Sequence, residues 1–104
     1  MSTPRHGEIW WAEAENQRRP VLVVTRSDAV AVLNRIIVAP VTRTVRSIPT
    51  EIPLGPDNGL NVECAASFDN LQPVRPSFLT DRVGSLGAAQ SGEICRALAA
   101  LADC

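Results

Sequence analysis

Two dense β-branched runs, each opened by arginine, constrain the fold of this chain more than any other feature. They are residues 18–25 (RRPVLVVT) and 35–42 (RIIVAPVT). Runs this apolar predict strands at the centre of a core, not strands with one wet face. Pro20 and Pro40 lack a ladder donor and so predict strand starts, edges or bulges. Shorter signals surround them. Residues 7–13 (GEIWWAE) read as a first strand, 49–54 as a fourth and 63–68 (ECAASF) as a fifth. Residues 71–74 and 82–86 read as short strands after these. Residues 27–33 (SDAVAVL) predict one or two helical turns capped by Ser27 or Asp28. The stretch Pro56-Asp57-Asn58-Gly59 is a turn signal. From Ala88 the period becomes helical: Ile94, Leu98 and Leu101 fall at i, i+4 and i+7 with Cys95 and Ala102 alongside, and Gly92 weakens that helix without abolishing it. Short strands with turn punctuation and a closing helix predict a small, strongly bent β-barrel.

With 104 residues the chain has the length of a single domain, and residues 1–104 are expected to form one. Apolar residues at 45% and charged residues at 20% exclude wholesale disorder. No apolar run approaches the roughly 18 residues of a membrane span, and nothing near the N-terminus has the pattern of a signal peptide. The three cysteines, Cys64, Cys95 and Cys104, are odd in number and widely spaced, which predicts a reducing cytoplasm and not a disulfide framework. Cys64 and Cys95 read as packing residues; Cys104 is given no role.

All ten basic residues are arginine. Residues 1–50 carry a net +3 and residues 51–104 a net −4. A total of −1 argues against strong nonspecific polyanion binding, while leaving room for a local arginine face in the first half. Codon bias is the plain alternative for the missing lysine. The single histidine, His6, leaves no histidine-based triad in a core segment and no histidine-pair metal site, and it reads as a tail residue near a frayed start. Trp10 and Trp11 are adjacent in one strand, so one faces the core and the other does not. The second is available to stack on a base or to be buried in an interface. Polar residues gather at the ends of the two strongest runs: Arg18-Arg19-Pro20 opens one, and Thr42-Arg43-Thr44, then Arg46 and Ser47, close the other. Asp69-Asn70 follows the fifth run.

The ordered set "GEIWWAE", "RRPVLVVT", "IIVAPVTRT", "TEIPL", "FDNLQPV" and "LTDRVGSL" resembles the MazF/PemK toxin endoribonucleases over nearly the whole chain. The resemblance implies an SH3-like barrel of the CcdB/PemK type with a C-terminal helix, a cytoplasmic homodimer, and metal-independent, cofactor-free cleavage of single-stranded RNA at a short motif. It also implies inhibition by a cognate MazE-like antitoxin. The family's RP arginine falls on Arg19, its strand-end threonine on Thr42 and its acidic D-N/D-Q residue on Asp69. These three are the expected catalytic residues.

Those residue types suit the chemistry. A ribose 2′-hydroxyl attacking the adjacent phosphate builds negative charge that arginine can hold bidentately and a threonine hydroxyl can stabilise. Asp69 has two readings: acceptor of the 2′-hydroxyl proton, or a carboxylate that orients Arg19. A purely structural Arg19–Asp69 ion pair is the plain alternative. Arg18, Arg43, Arg46 and Asn70 are the expected RNA-binding residues. Two departures stand out. Ser67 replaces an arginine that some relatives carry, and the loop at residues 14–17 is shorter than the cover many relatives fold over the site, with only Glu13 or Glu15 to stand in for its glutamate. The rival function is a toxin of the same fold that inhibits DNA gyrase by binding it; a plain SH3-like interaction domain fits poorly with four aromatic residues and no tyrosine.

Overall fold

The computed structural model describes residues 3–14 and 16–102. Its strands are β1 (Glu8–Ala14), β2 (Gln17–Val23), β3 (Ile36–Thr42), β4 (Glu51–Leu54), β5 (Cys64–Ser67), β6 (Gln72–Val74) and β7 (Leu79–Ser85). A one-turn helix, α1 (Ser27–Val30), links β2 to β3, and α2 (Glu93–Ala102) follows the sheet. The seven strands form one antiparallel sheet in the order β4-β5-β3-β2-β1-β7, with β6 also paired to β3.

Alternation along β1, β2 and β3 explains why the central runs are continuously apolar. Ile9, Leu22 and Ala39 point into one cluster with Ile52, Phe68 and Ile94. Their neighbours Trp10, Val21, Val23 and Val38 point into a second cluster closed by Val30 and Leu79. Both faces of the central strands are therefore buried, so neither set of positions tolerates polar side chains.

The sheet bends until its two ends meet. Two register shifts in the β1–β7 pairing, at Ile9/Trp10 and Trp11/Ala12, add local twist. No ladder joins β4 to β7 among the described residues; a 3₁₀ turn after β4, Pro56–Asn58, presses against β7 instead. Any side chain at Gly84 would strike the Asn58 carbonyl. Asn58 is buried, its Oδ1 accepts the Gly55 N–H, and its Nδ2 donates to Ser85 O and Gln90 Oε1. Gly59, at φ +88°, ends the turn where an L-residue would be strained. The SH3-like fold thus closes through a turn and an amide.

Several local expectations are revised. Pro20 lies inside β2, opposite Trp11, just before β2 begins to pair with β3 at Val21. Pro40 lies inside β3 where its outer partner changes from β6 to β5. Both prolines are thus mid-strand at gaps in one ladder, which is where a missing N–H costs least. The residue before α1, Arg26, is its N-cap and neither Ser27 nor Asp28 caps it; Ser27 Oγ accepts the His6 N–H at 2.9 Å. His6 Nδ1 also lies 2.8 Å from Val24 O, so His6 is tied to the end of β2 and is not a loose tail residue. Cys64 is buried as expected, whereas Cys95 is exposed because α2 turns Ile94 and Ala97 inward. Leu101 is exposed too, Gly92 precedes the helix instead of weakening its interior, and Cys104 falls outside the described residues. Among the described residues no helix is long and apolar enough to cross a membrane.

Candidate functional site

Strand ends place the polar residues. β1 and β2 pair out to Ala14 opposite Gln17, leaving two residues between them, with Asn16 at φ 69°. Alternation along β2 then sends Arg18 and Arg19 to opposite faces of the ribbon.

Arg19 opens onto a groove of about 780 Å³ whose lining includes Thr42, Arg43, Arg46, Asp69 and Asn70. Six of the seven residues expected in the site thus share one concavity. Thr42 ends β3, and its Oγ1 accepts the Thr44 N–H at 3.1 Å, which leaves the hydroxyl hydrogen free to be donated into the groove. Asp69 sits in a 3₁₀ turn, Phe68–Asn70, anchored by the buried Phe68. Its Oδ2 accepts the Thr50 hydroxyl hydrogen at 2.7 Å, and no Arg19–Asp69 ion pair exists among the described residues. Neither the structural ion pair nor a direct orienting contact with Arg19 is present. Ser67 is buried beneath this turn, where its Oγ accepts the Asn70 Nδ2–H at 2.8 Å. That position shapes the groove floor and offers no arginine to it.

Arg18 lies elsewhere. Its guanidinium pairs with Glu13 at 3.1 Å and Asp81 at 2.9 Å, and stacks 4.6 Å above the Trp11 ring. Trp10 is the core tryptophan; Trp11 is half-buried, as strand alternation requires. Trp11 and Arg18 border a separate pocket of about 440 Å³ whose lining also includes Thr42, Arg43 and Cys64. Burial pushes the Cys64 thiol above its ordinary range while the Arg43 charge pulls the other way, so the thiol is a poor nucleophile at neutral pH.

Three residues that the sequence did not single out hold the groove together. Glu51 is buried, and its Oε1 accepts the Arg46 N–H at 2.9 Å. Arg96 reaches from α2 to donate to Pro49 O at 2.7 Å and Glu51 O at 3.0 Å. These bonds fix the segment between β3 and β4, in which Ser47 takes the left-handed φ of 54°. Thr50, on the same segment, holds Asp69. Nothing in the spacing of these three signals their convergence, because the partners lie 5 to 47 positions apart.

Residues 5–102 match the family of PemK-like, MazF-like toxins of type II toxin–antitoxin systems. The chain is 38% identical over 103 residues to a probable endoribonuclease MazF5 of Mycobacterium tuberculosis, covering 97% of this chain and 94% of that protein. It is 37% identical over 83 residues to the endoribonuclease MazF3 of the same organism, covering 80% and 81%. Among solved structures, the Mycobacterium tuberculosis toxin MazF-mt6 superposes with a TM-score of 0.85 at 35% identity, over 92% of this chain and 96% of that one. The chain belongs to the PemK-like, MazF-like toxins of type II toxin–antitoxin systems.

Proposed function

We propose that the protein is an endoribonuclease that cuts single-stranded RNA at a short motif, without a metal, in the groove at the ends of β2 and β3. The gathering of Arg19, Thr42, Asp69, Arg43, Arg46 and Asn70 around one open concavity is the observation that carries this reading. Relatives named as endoribonucleases at 37–38% identity support it.

In this mechanism the 2′-oxygen attacks the adjacent phosphorus and Asp69 accepts the 2′-hydroxyl proton. The bond from phosphorus to the 5′-oxygen breaks, and water in the open groove protonates the departing oxygen. The products are a 2′,3′-cyclic phosphate and a 5′-hydroxyl. Arg19 holds the phosphoryl oxygens as charge grows on them, and Thr42 donates its hydroxyl hydrogen to one. Arg43, Arg46 and Asn70 position the strand. The protein works as a homodimer in the cytoplasm, and a cognate antitoxin silences it; a solved MazE–MazF complex of Deinococcus radiodurans shares its fold at a TM-score of 0.81.

Incubation of purified wild type, Arg19→Ala and Thr42→Ala with a long single-stranded RNA, with and without chelator, tests this. Arg19→Ala should abolish cleavage with the fold intact, and Thr42→Ala should do nearly as much. Cleavage by Arg19→Ala at the wild-type rate would remove the site assignment. Loss of wild-type activity in chelator would show a metal requirement.

A further inference from the structure

Apart from Arg5, which lies before β1 and lines neither groove, the arginines of this chain divide into two groups. Arg18, Arg26, Arg82 and Arg96 are each paired with a carboxylate. Arg19, Arg35, Arg43, Arg46 and Arg75 have no ion pair among the described residues, and all five border two adjoining grooves. One is the groove already described. The other, of about 470 Å³, lies over β6 and the following 3₁₀ turn Pro76–Phe78; it holds Arg35 and Arg75 and shares Arg19 and Gln72 with the first. No acidic side chain lines this second groove, and the first has only Asp69. In a chain of net charge −1, five uncompensated guanidiniums along one path form a local positive strip.

The second groove also presents an aromatic ring. Phe78 is one of two phenylalanines in the chain and is 38% exposed at the groove's edge. A core role would have buried it, as it buries Phe68 at 1%. A positive groove with an exposed ring beside it is the pattern that grips single-stranded nucleic acid, phosphates on the guanidiniums and a base on the π-face.

We propose that the RNA strand runs on from the cleavage groove, past Arg19, into this second groove, where Arg35 and Arg75 bind flanking phosphates and Phe78 stacks a flanking base. The inference rests on the endoribonuclease reading and assigns that reaction a flanking-strand subsite away from the scissile bond. Arg35 and Arg75 bind the strand away from the cleaved phosphate. They increase affinity and leave the chemical step unchanged.

The test is binding of a single-stranded oligoribonucleotide with 2′-O-methyl sugars, which removes the attacking hydroxyl, measured by fluorescence anisotropy over a range of salt. Removal of two phosphate contacts in Arg35→Ala/Arg75→Ala should lower the slope of log affinity against log salt by about 1.4, at roughly 0.7 per contact. Arg26→Ala alters the net charge away from both grooves and should leave the slope as in wild type. Phe78→Ala should weaken binding by about 5- to 150-fold with little change in slope. In parallel, Arg35→Ala/Arg75→Ala should need a higher enzyme concentration than wild type to reach half of its maximal single-turnover rate on long RNA, and an unchanged concentration would overturn the proposal. A slope for the double variant equal to that of Arg26→Ala would overturn the proposal while leaving the cleavage site standing. Unimpaired cleavage by Arg19→Ala would overturn the cleavage site while the salt slope still reports on the strip.

Discussion

Asp69 illustrates how one carboxylate is set for its role by a neighbour on another segment. Its Oδ2 is held by Thr50, and no arginine neutralises it among the described residues, so the second oxygen is left to accept a proton. Asp69→Asn should lower the single-turnover cleavage rate by roughly 10²–10⁴-fold, the usual effect of removing an acid–base group. A loss of only a few-fold would give the carboxylate a positioning role instead. Cysteine reactivity follows from burial in the same way. Peptide mapping after iodoacetamide treatment of the native protein should find Cys95 alkylated and Cys64 protected, with Cys64 reacting only in denaturant. Because burial holds the Cys64 thiol neutral, folding favours the protonated form. That contribution is complete below the ordinary thiol pKa and is lost as pH rises through the raised one, so it weakens stability only at alkaline pH. Denaturant midpoints measured from neutral to alkaline pH should therefore fall less steeply in Cys64→Ala.

At the scale of elements, α2 links the core to the groove. Its inner face packs Ile94 and Ala97 against Leu54 and Phe68, and its Arg96 holds the carbonyls of Pro49 and Glu51. Ile94→Ala should cost about 2–5 kcal/mol of unfolding free energy by leaving a cavity under the sheet. A denaturant melt that shows under 1 kcal/mol would mean the helix repacks. Arg96→Ala keeps the apolar face but frees the segment that carries Arg46 and Thr50. It should depress cleavage more than stability, and equal loss in both would contradict a groove-shaping role. The apolar stripe of α2 was legible from its period, as were the strands from their β-branched runs. The reach of Arg96 was not, since the carbonyls it binds lie 45 and 47 residues away.

For the whole molecule, closure depends on a backbone contact. The turn after β4 packs so tightly on Gly84 of β7 that a methyl group has no space there. Gly84→Ala should therefore destabilise the protein by about 1–3 kcal/mol, as overpacking does, with a lower thermal midpoint as the readout. An unchanged midpoint would mean that the barrel closes independently of this approach. The groove lies at the ends of β2 and β3, so its shape depends on the same curvature. Sedimentation at micromolar concentration should return about twice the monomer mass for the proposed homodimer, and a clean monomer would leave the half-buried Trp11 serving this chain alone.

Local chemistry was enough to read the apolar strand runs, the turn at Pro56–Asn58 and the start of the helical stripe, whereas the choice of Arg19, Thr42 and Asp69 among the polar residues came from the family resemblance. Those elements depend on side-chain type and short-range period, which the sequence carries directly. Only the tertiary structure decided which polar residues share a concavity. Alternation in β2 separated Arg18 from Arg19, and folding paired Arg18 with Asp81, 63 positions away. It also left Arg35 and Arg75 uncompensated beside Arg19, and gave Asp69 to Thr50 and not to Arg19. Charge pairing depends on distances through space, and a linear pattern holds none of those until the sheet bends.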